Sequence, residues 1–272
     1  VTMAQLNLKS LISLVLVALA GVACSTSPTG RSQMVLKNDQ ELAVEAARQF
    51  AEMKANMPLE TDRTKIDYIH CVAQAVVMEL PPDYRDLDWE MAIFQSDSVN
   101  AFAMPGGKIG VMTGILKAAQ NQDQLAAVIG HEIAHVTARH ANERASRGSF
   151  SNVGVQVAAV LLGGGHQGAT YSAYEALQAG AALGIMLPFS RSQESEADVI
   201  GLEYMAKAGF DPRESVPLWQ NMGQEAEEAP AEFLSTHPSS EKRIDQLVDQ
   251  FGTTLKLYNE AKQAGKTPSC SM

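Results

Sequence analysis

QDQLAAVIGHEIAHVTARHAN, residues 122–142, is the stretch whose reading decides the fold. Leu125, Val128, Ile129, Ile133 and Val136 recur three and four residues apart, the period of one apolar helix face. Asn121 before them is a good N-cap, and Gln124 occupies the capping-box position. The spacing predicts one helix over 122–142. His131 and His135 interrupt the apolar side, and their four-residue spacing turns both imidazoles the same way. Two imidazoles so placed can hold one Zn²⁺, and Glu132 between them can hold the attacking water. This HExxH pattern fixes only three residues, so a third ligand must be found. The extended pattern HExxHxxGxxH is excluded, because Ala138 and Ala141 stand where it needs Gly and His. His140 would be turned roughly 140° away from His135 on a continuous helix. That makes it a neighbour of the site or a surface histidine, not a ligand.

The third ligand is expected in RSQESEADVIG, residues 191–201. Glu194 and Asp198 are four apart and share a helix face. Glu194 would complete a His₂Glu site with one open position, the catalytic arrangement. Asp198, one turn on, can accept from the non-ligating N–H of a metal histidine and fix its tautomer. Glu196 is out of phase with both and faces elsewhere. Alone, this acidic run would read as a solvated turn; downstream of HExxH it reads as the rest of a metal site.

HEIAH followed by ESEAD resembles the gluzincin metallopeptidases of the HtpX, BepA and LoiP type. NAFAMPGGKIGVMTG (100–114) is similar to that family's strand pair before the active-site helix, and STHPSSEKRI (235–244) to its THP segment. The resemblance spans roughly 36–248. It implies an α+β, predominantly helical fold: a zincin-like metallopeptidase domain with a small β-sheet next to the HExxH helix. It also implies that an edge strand near Ile109–Met112 pairs with extended substrate, and that His237 of the THP segment lies near the cleft. His237 could donate to an oxyanion, or occupy the fourth metal position and hold the enzyme off.

The flanking sequence suggests where such a protein works. Among 272 residues, 46% are apolar and 19% charged, enough for one sizeable core, and the net charge is −10. No basic run exists, which argues against nucleic acid as a partner. Lys9, an apolar run from Leu11 to Ala20 and small residues before Cys24 read as a bacterial secretory signal over 1–23. Gly21-Val22-Ala23-Cys24 resembles a lipobox, with Gly21 where Leu is usual, so Cys24 is the expected lipidation site. Ser25 after it suggests outer-membrane sorting by resemblance to Gram-negative lipoproteins. Residues 24–37 are rich in Ser, Thr, Pro and Gly and read as a flexible tether, leaving 38–272 as the metallopeptidase domain.

Within that domain, helices are expected at 38–56 and 62–80, and strands at 89–95, 101–104 and 108–113. Two apolar stretches, 151–162 and 169–187, flank a glycine-rich tip with His166 and suggest a helical hairpin over the site. Cys71 and Cys270 form an even pair that could bond in an oxidising compartment. The reading that results is a zinc endopeptidase of the cell envelope, lipid-anchored and facing the periplasm, that cuts unfolded or misassembled envelope proteins. Its rival is a chaperone or assembly factor working with the outer-membrane assembly machinery, with proteolysis rare or restrained. A purely structural zinc is disfavoured, because no Cys lies near these motifs.

Overall fold

The computed structural model describes residues 24–148, 189–228, 232–237 and 241–272. The expected signal with Gly21, and the expected hairpin at 151–187 with His166, lie outside the described residues.

The chain enters through an antiparallel hairpin, β1 (Cys24–Thr26) and β2 (Ser32–Met34), with Cys24 opposite Met34. This corrects the free tether expected at 24–37. The Leu36 N–H donates to Ser146 Oγ at 2.8 Å and the Lys37 N–H to Asn142 Oδ1 at 3.2 Å, which fastens the segment to the body. Turn-forming composition serves a tight turn as well as a loose chain; here Gly30 takes φ 88° in that turn. Helix α1 (Asp39–Asn56) starts where the Asn38 side chain accepts from the Gln40 and Glu41 N–H groups. Helix α2 (Arg63–Val77) is capped in the same way by Asp62.

The three strands β3 (Glu90–Phe94), β4 (Ala101–Met104) and β5 (Lys108–Met112) form a sheet of order β3-β5-β4. β3 runs parallel to β5 and β4 antiparallel to it. Gly106 and Gly107, both at φ 80°, make the β4–β5 turn, where a Cβ would be strained. The edge strand expected at Ile109–Met112 is thus the sheet's central strand, buried throughout. The edges are β3 and β4, because β5 pairs with both; along β3 the edge is partly met by the segment around Leu59, which bridges Phe94.

Helix α3 (Gln122–Thr137) follows, and the Asn121 side chain accepts from the Asp123 and Gln124 N–H groups. The Gln124 side chain closes on the Gln120 N–H at 2.9 Å, one residue short of a capping box. The helix stops earlier than its pattern suggested. Arg139 takes φ 57° after it, and a separate helical stretch runs over 140–148. Helix α4 (Arg191–Lys207) opens with a reciprocal capping box between Ser190 and Gln193. Helices α5 (Ser215–Glu228), α6 (Glu232–Thr236) and α7 (Glu241–Gln263) complete the chain.

The core lies where α3 meets α2 and α4. Leu125, Ile129 and Ile133 of α3 are buried with Ile69 and Val72 of α2 and Met205 of α4. Helices α3 and α4 touch backbone to backbone at Gly130 and Gly201, where a Cβ on Gly130 would stand 2.8 Å from the Gly201 carbonyl oxygen. Cys71 of α2 and Cys270 of the C-terminal tail are bonded, with Cα atoms 5.8 Å apart. No helix among the described residues is long and apolar enough to cross a membrane.

Candidate metal centre

His131 and His135, one turn apart on α3, bring their Nε2 atoms to 3.0 Å. The crossing at Gly130–Gly201 lets α4 come close enough for Glu194 to face them. Its Oε2 lies 3.5 Å from His131 Nε2 and its Oε1 3.5 Å from His135 Nε2. His237 follows α6, with its N–H bonded to the Phe233 carbonyl, and sends Nδ1 to 3.2 Å from His131 Nε2 and 3.0 Å from Glu194 Oε1. The four donor atoms lie within 4.8 Å of one another, and all four residues are buried. Zn²⁺ bonded to N and O ligands at about 2.0–2.1 Å needs tetrahedral donors roughly 3.4 Å apart, so this set fits such an ion.

Glu132 sits beside these donors without joining them. Its Oε1 is buried, makes no hydrogen bond among the described residues and lies 3.4 Å from His237 Nε2. Burial raises its pKa, against the opposing pull of His237 and His131, and the Ala103 N–H donates to its carboxylate. Ala103 is on the edge strand β4. The Met112 N–H donates to the Asn100 carbonyl, so by antiparallel alternation the N–H and C=O groups of Ala101 and Ala103 turn away from β5. Among the described residues, no other strand pairs with this side of β4, and it runs past Glu132.

Each metal-facing histidine is held from behind. His131 Nδ1 lies 3.0 Å from Asp198 Oδ1. Arg243, at the start of α7, grips Asp198 with Nε at 2.8 Å and Nη2 at 2.7 Å and reaches Glu194 Oε2 with Nη1 at 2.8 Å. Its guanidinium also lies over the Trp219 ring at 4.0 Å. Burial pushes the Asp198 carboxyl up, but Arg243 and His131 outweigh it and hold the pKa below the ordinary range. Burial would likewise lower the His131 pKa, yet hydrogen bonds to Asp198 and Glu194 raise it to about 9. On His135, burial and the neighbouring cationic groups act together and depress the pKa.

His135 is backed differently. Its Nδ1 lies 2.7 Å from His140 Nδ1, and His140 Nε2 lies 3.1 Å from Glu196 Oε2. The left-handed turn at Arg139 breaks the helix, so the 140° offset expected for His140 does not apply, and this fully buried ring lies behind its neighbour. Glu196 does face away from the four donors, as its phase suggested, but into this buried chain rather than solvent. His140 is the neighbour of the site that its position allowed, while Arg31, Glu143, Glu196 and Arg243 were members that motif reading did not assign. Their signal is indirect, since buried carboxylates on α4 and on 140–148 demand cationic partners.

The comparisons with known proteins agree with this geometry. The model of peptidase family M48 matches residues 64–250. The chain is 37% identical over 183 residues to the mitochondrial metalloendopeptidase OMA1 of Arabidopsis thaliana, covering 66% of this chain and 36% of that protein. It is 40% identical over 166 residues to the OMA1 of Schizosaccharomyces pombe, covering 60% and 47%. It is 32% identical over 213 residues to a putative beta-barrel assembly-enhancing protease of Vibrio cholerae, covering 76% and 43%. The chain thus spans half or less of the length of these relatives. The matched residues contain His131, Glu132, His135, Glu194, Asp198 and His237, together with the sheet and helices that position them. By that match and by its zincin-like architecture, the chain belongs to peptidase family M48.

Proposed function

We propose that this protein is a zinc-dependent endopeptidase of the bacterial cell envelope. The observation that carries the reading is the buried Glu132 carboxylate, set between the edge strand β4 and the donors of His131, His135 and Glu194. Those three residues would hold the ion. Bound there, zinc supplies Lewis-acid polarisation of the scissile carbonyl and lowers the pKa of a water. An extended substrate adds to the edge of β4 through main-chain hydrogen bonds, which gives affinity with little sequence demand. Glu132 takes the proton of the attacking water and delivers it to the leaving amine. Burial, by raising the Glu132 pKa, suits it to do both. Asp198, held by Arg243, keeps the proton of His131 on Nδ1 and its Nε2 free to ligate.

Substrates in this reading are unfolded or misassembled envelope proteins, met at a membrane to which lipidated Cys24 anchors the chain. The name of the Vibrio cholerae relative supports the envelope setting, and edge-strand binding supports an unfolded, extended substrate. The second reading, a chaperone or assembly factor with restrained proteolysis, rests on His237. Its Nδ1 lies among the donors, which favours a fourth, inhibitory ligand over an oxyanion donor. Glu132→Gln tests the enzyme reading. It should bind zinc as wild type does and lose about 10²–10⁴-fold in cleavage of an unfolded protein. Undiminished turnover would sink the mechanism.

A further inference from the structure

The two histidines of the HExxH motif are each tied to an arginine through a carboxylate. On the His131 side the path is short: imidazole, Asp198, Arg243. On the His135 side it is longer and ends in the N-terminal hairpin. His135 Nδ1 meets His140 Nδ1 at 2.7 Å, and His140 Nε2 meets Glu196 Oε2 at 3.1 Å. The same Glu196 oxygen accepts from Arg31 Nε at 2.8 Å, while Thr29 Oγ1 donates to Oε1 at 2.6 Å. The other two guanidinium nitrogens of Arg31, Nη1 and Nη2, lie 2.9 and 2.8 Å from the two oxygens of Glu143.

The protons along this path have one consistent arrangement. If His135 ligates through Nε2, its proton is on Nδ1 and must be donated. Among the described residues the acceptor it meets there is His140 Nδ1, which must then be bare. His140 carries its own proton on Nε2 and donates it to Glu196, which must be ionised. Glu196 is 4% exposed and Glu143 is fully buried, so two carboxylates face each other across Arg31 away from bulk water. Buried carboxylates in this position need a cation fixed between them. A planar fork with one nitrogen for Glu196 and two for Glu143 meets that need; an ammonium cannot span both.

We infer that Arg31 is a positioning residue of the metal centre, fixing the tautomer and orientation of His135 through Glu196 and His140 as Arg243 does for His131 through Asp198. The N-terminal hairpin is then a working part of the site. This inference rests on the metal reading of His131, His135 and Glu194.

The test uses the full chain with Arg31→Ala and Arg31→Lys, and Arg48→Ala as control. Arg48 also bridges two carboxylates, Glu45 and Glu52, but on the exposed face of α1. Zinc affinity is measured by competition with a chelator, and the ligand field by the visible absorption of the Co²⁺-substituted protein. Arg31→Ala should bind Zn²⁺ about tenfold more weakly or worse and shift the Co²⁺ bands, as loss of support behind a ligand does. Arg31→Lys should recover part of the affinity, kcat should fall more than KM rises, and Arg48→Ala should match wild type. Zinc affinity within twofold of wild type with an unchanged Co²⁺ spectrum would overturn the inference, whatever the melting temperature does. Should Arg31→Ala not fold, the Lys variant decides by the same two readouts. A wild type that binds no zinc would instead sink the metal reading itself.

Discussion

Gly201 of α4 lies so close to α3 that a Cβ on it would stand 2.7 Å from the His131 nitrogen. This contact sets how near Glu194 comes to the two histidines. Gly201→Ala must push the helices apart at the point where the ligands converge. It should cost about 1–3 kcal/mol of stability, as overpacking does, and weaken zinc binding as well. Gly223→Ala, with nothing within 4 Å of the added carbon, is the control and should be neutral or stabilising by about 0.5–1 kcal/mol. Urea unfolding with metal analysis checks both. An unaffected Gly201→Ala would mean that the helix crossing does not govern the site.

Glu194→Ala should abolish tight zinc binding, because it removes a donor. Asp198→Asn should keep the ligands and lose about 10–100-fold in metal affinity or activity. Glu196→Ala should fall nearer Asp198→Asn than Glu194→Ala, since its carboxylate touches His140 and not the donor set. Equilibrium dialysis of the three variants ranks them; Glu196 as the most damaging position would contradict the assignment of Glu194.

His237→Ala distinguishes the two roles open to that residue. Removal of an inhibitory ligand should raise basal proteolysis, including self-cleavage, by about tenfold, the rate equivalent of about 1.4 kcal/mol. Removal of an oxyanion donor should instead lower kcat and leave zinc content unchanged. The close approach of His237 Nδ1 to Glu194 and His131 favours the first outcome. A variant identical to wild type in both assays would leave His237 without either role.

Acid should expose the buried carboxylates. Burial pushes the Glu196 pKa up, but hydrogen bonds from His140, Ser27, Thr29 and Arg31 outweigh it and hold it well below the ordinary value of 4.5. A folded-state pKa below the unfolded one gives stability that is complete above the unfolded value and lost as pH falls toward the folded one. Unfolding in urea with a chelator present should therefore show stability dropping as pH falls below about 4.5. Glu196→Gln should start less stable at neutral pH and show a shallower drop. An equal slope in both proteins would remove Glu196 from the titrating set.

That His131, His135 and Glu194 converge was legible because helices convert spacing into direction, whereas His237 was reached only through the THP resemblance. Four residues separate His131 from His135 and Glu194 from Asp198, and each pair landed on one face. The supports behind these donors were not legible, because they join segments far apart in the chain. Arg243 stands in an ordinary Glu-Lys-Arg run, and nothing local marks it for Asp198. Arg31 was hidden by composition, since a turn-rich segment reads as loose until its partners are known. His140 was read as a neighbour of the site or a surface residue and is the neighbour, but the helical wheel could not place it behind His135 once Arg139 breaks the helix; the edge strand was misplaced by sequence order, which cannot tell which of three strands sits in the middle.

If Cys24 carries the proposed lipid, the docked hairpin also limits how far the protein could reach. A free tether over 24–37 would span about 45 Å when extended and would let the active site sweep a volume around its anchor. With Cys24 already paired to Met34 in a strand, that slack is gone. A lipid on Cys24 would hold the body against the bilayer like a foot rather than a leash. The cleft would then search a surface, and its prey would be chains stalled at the membrane rather than chains drifting between membranes.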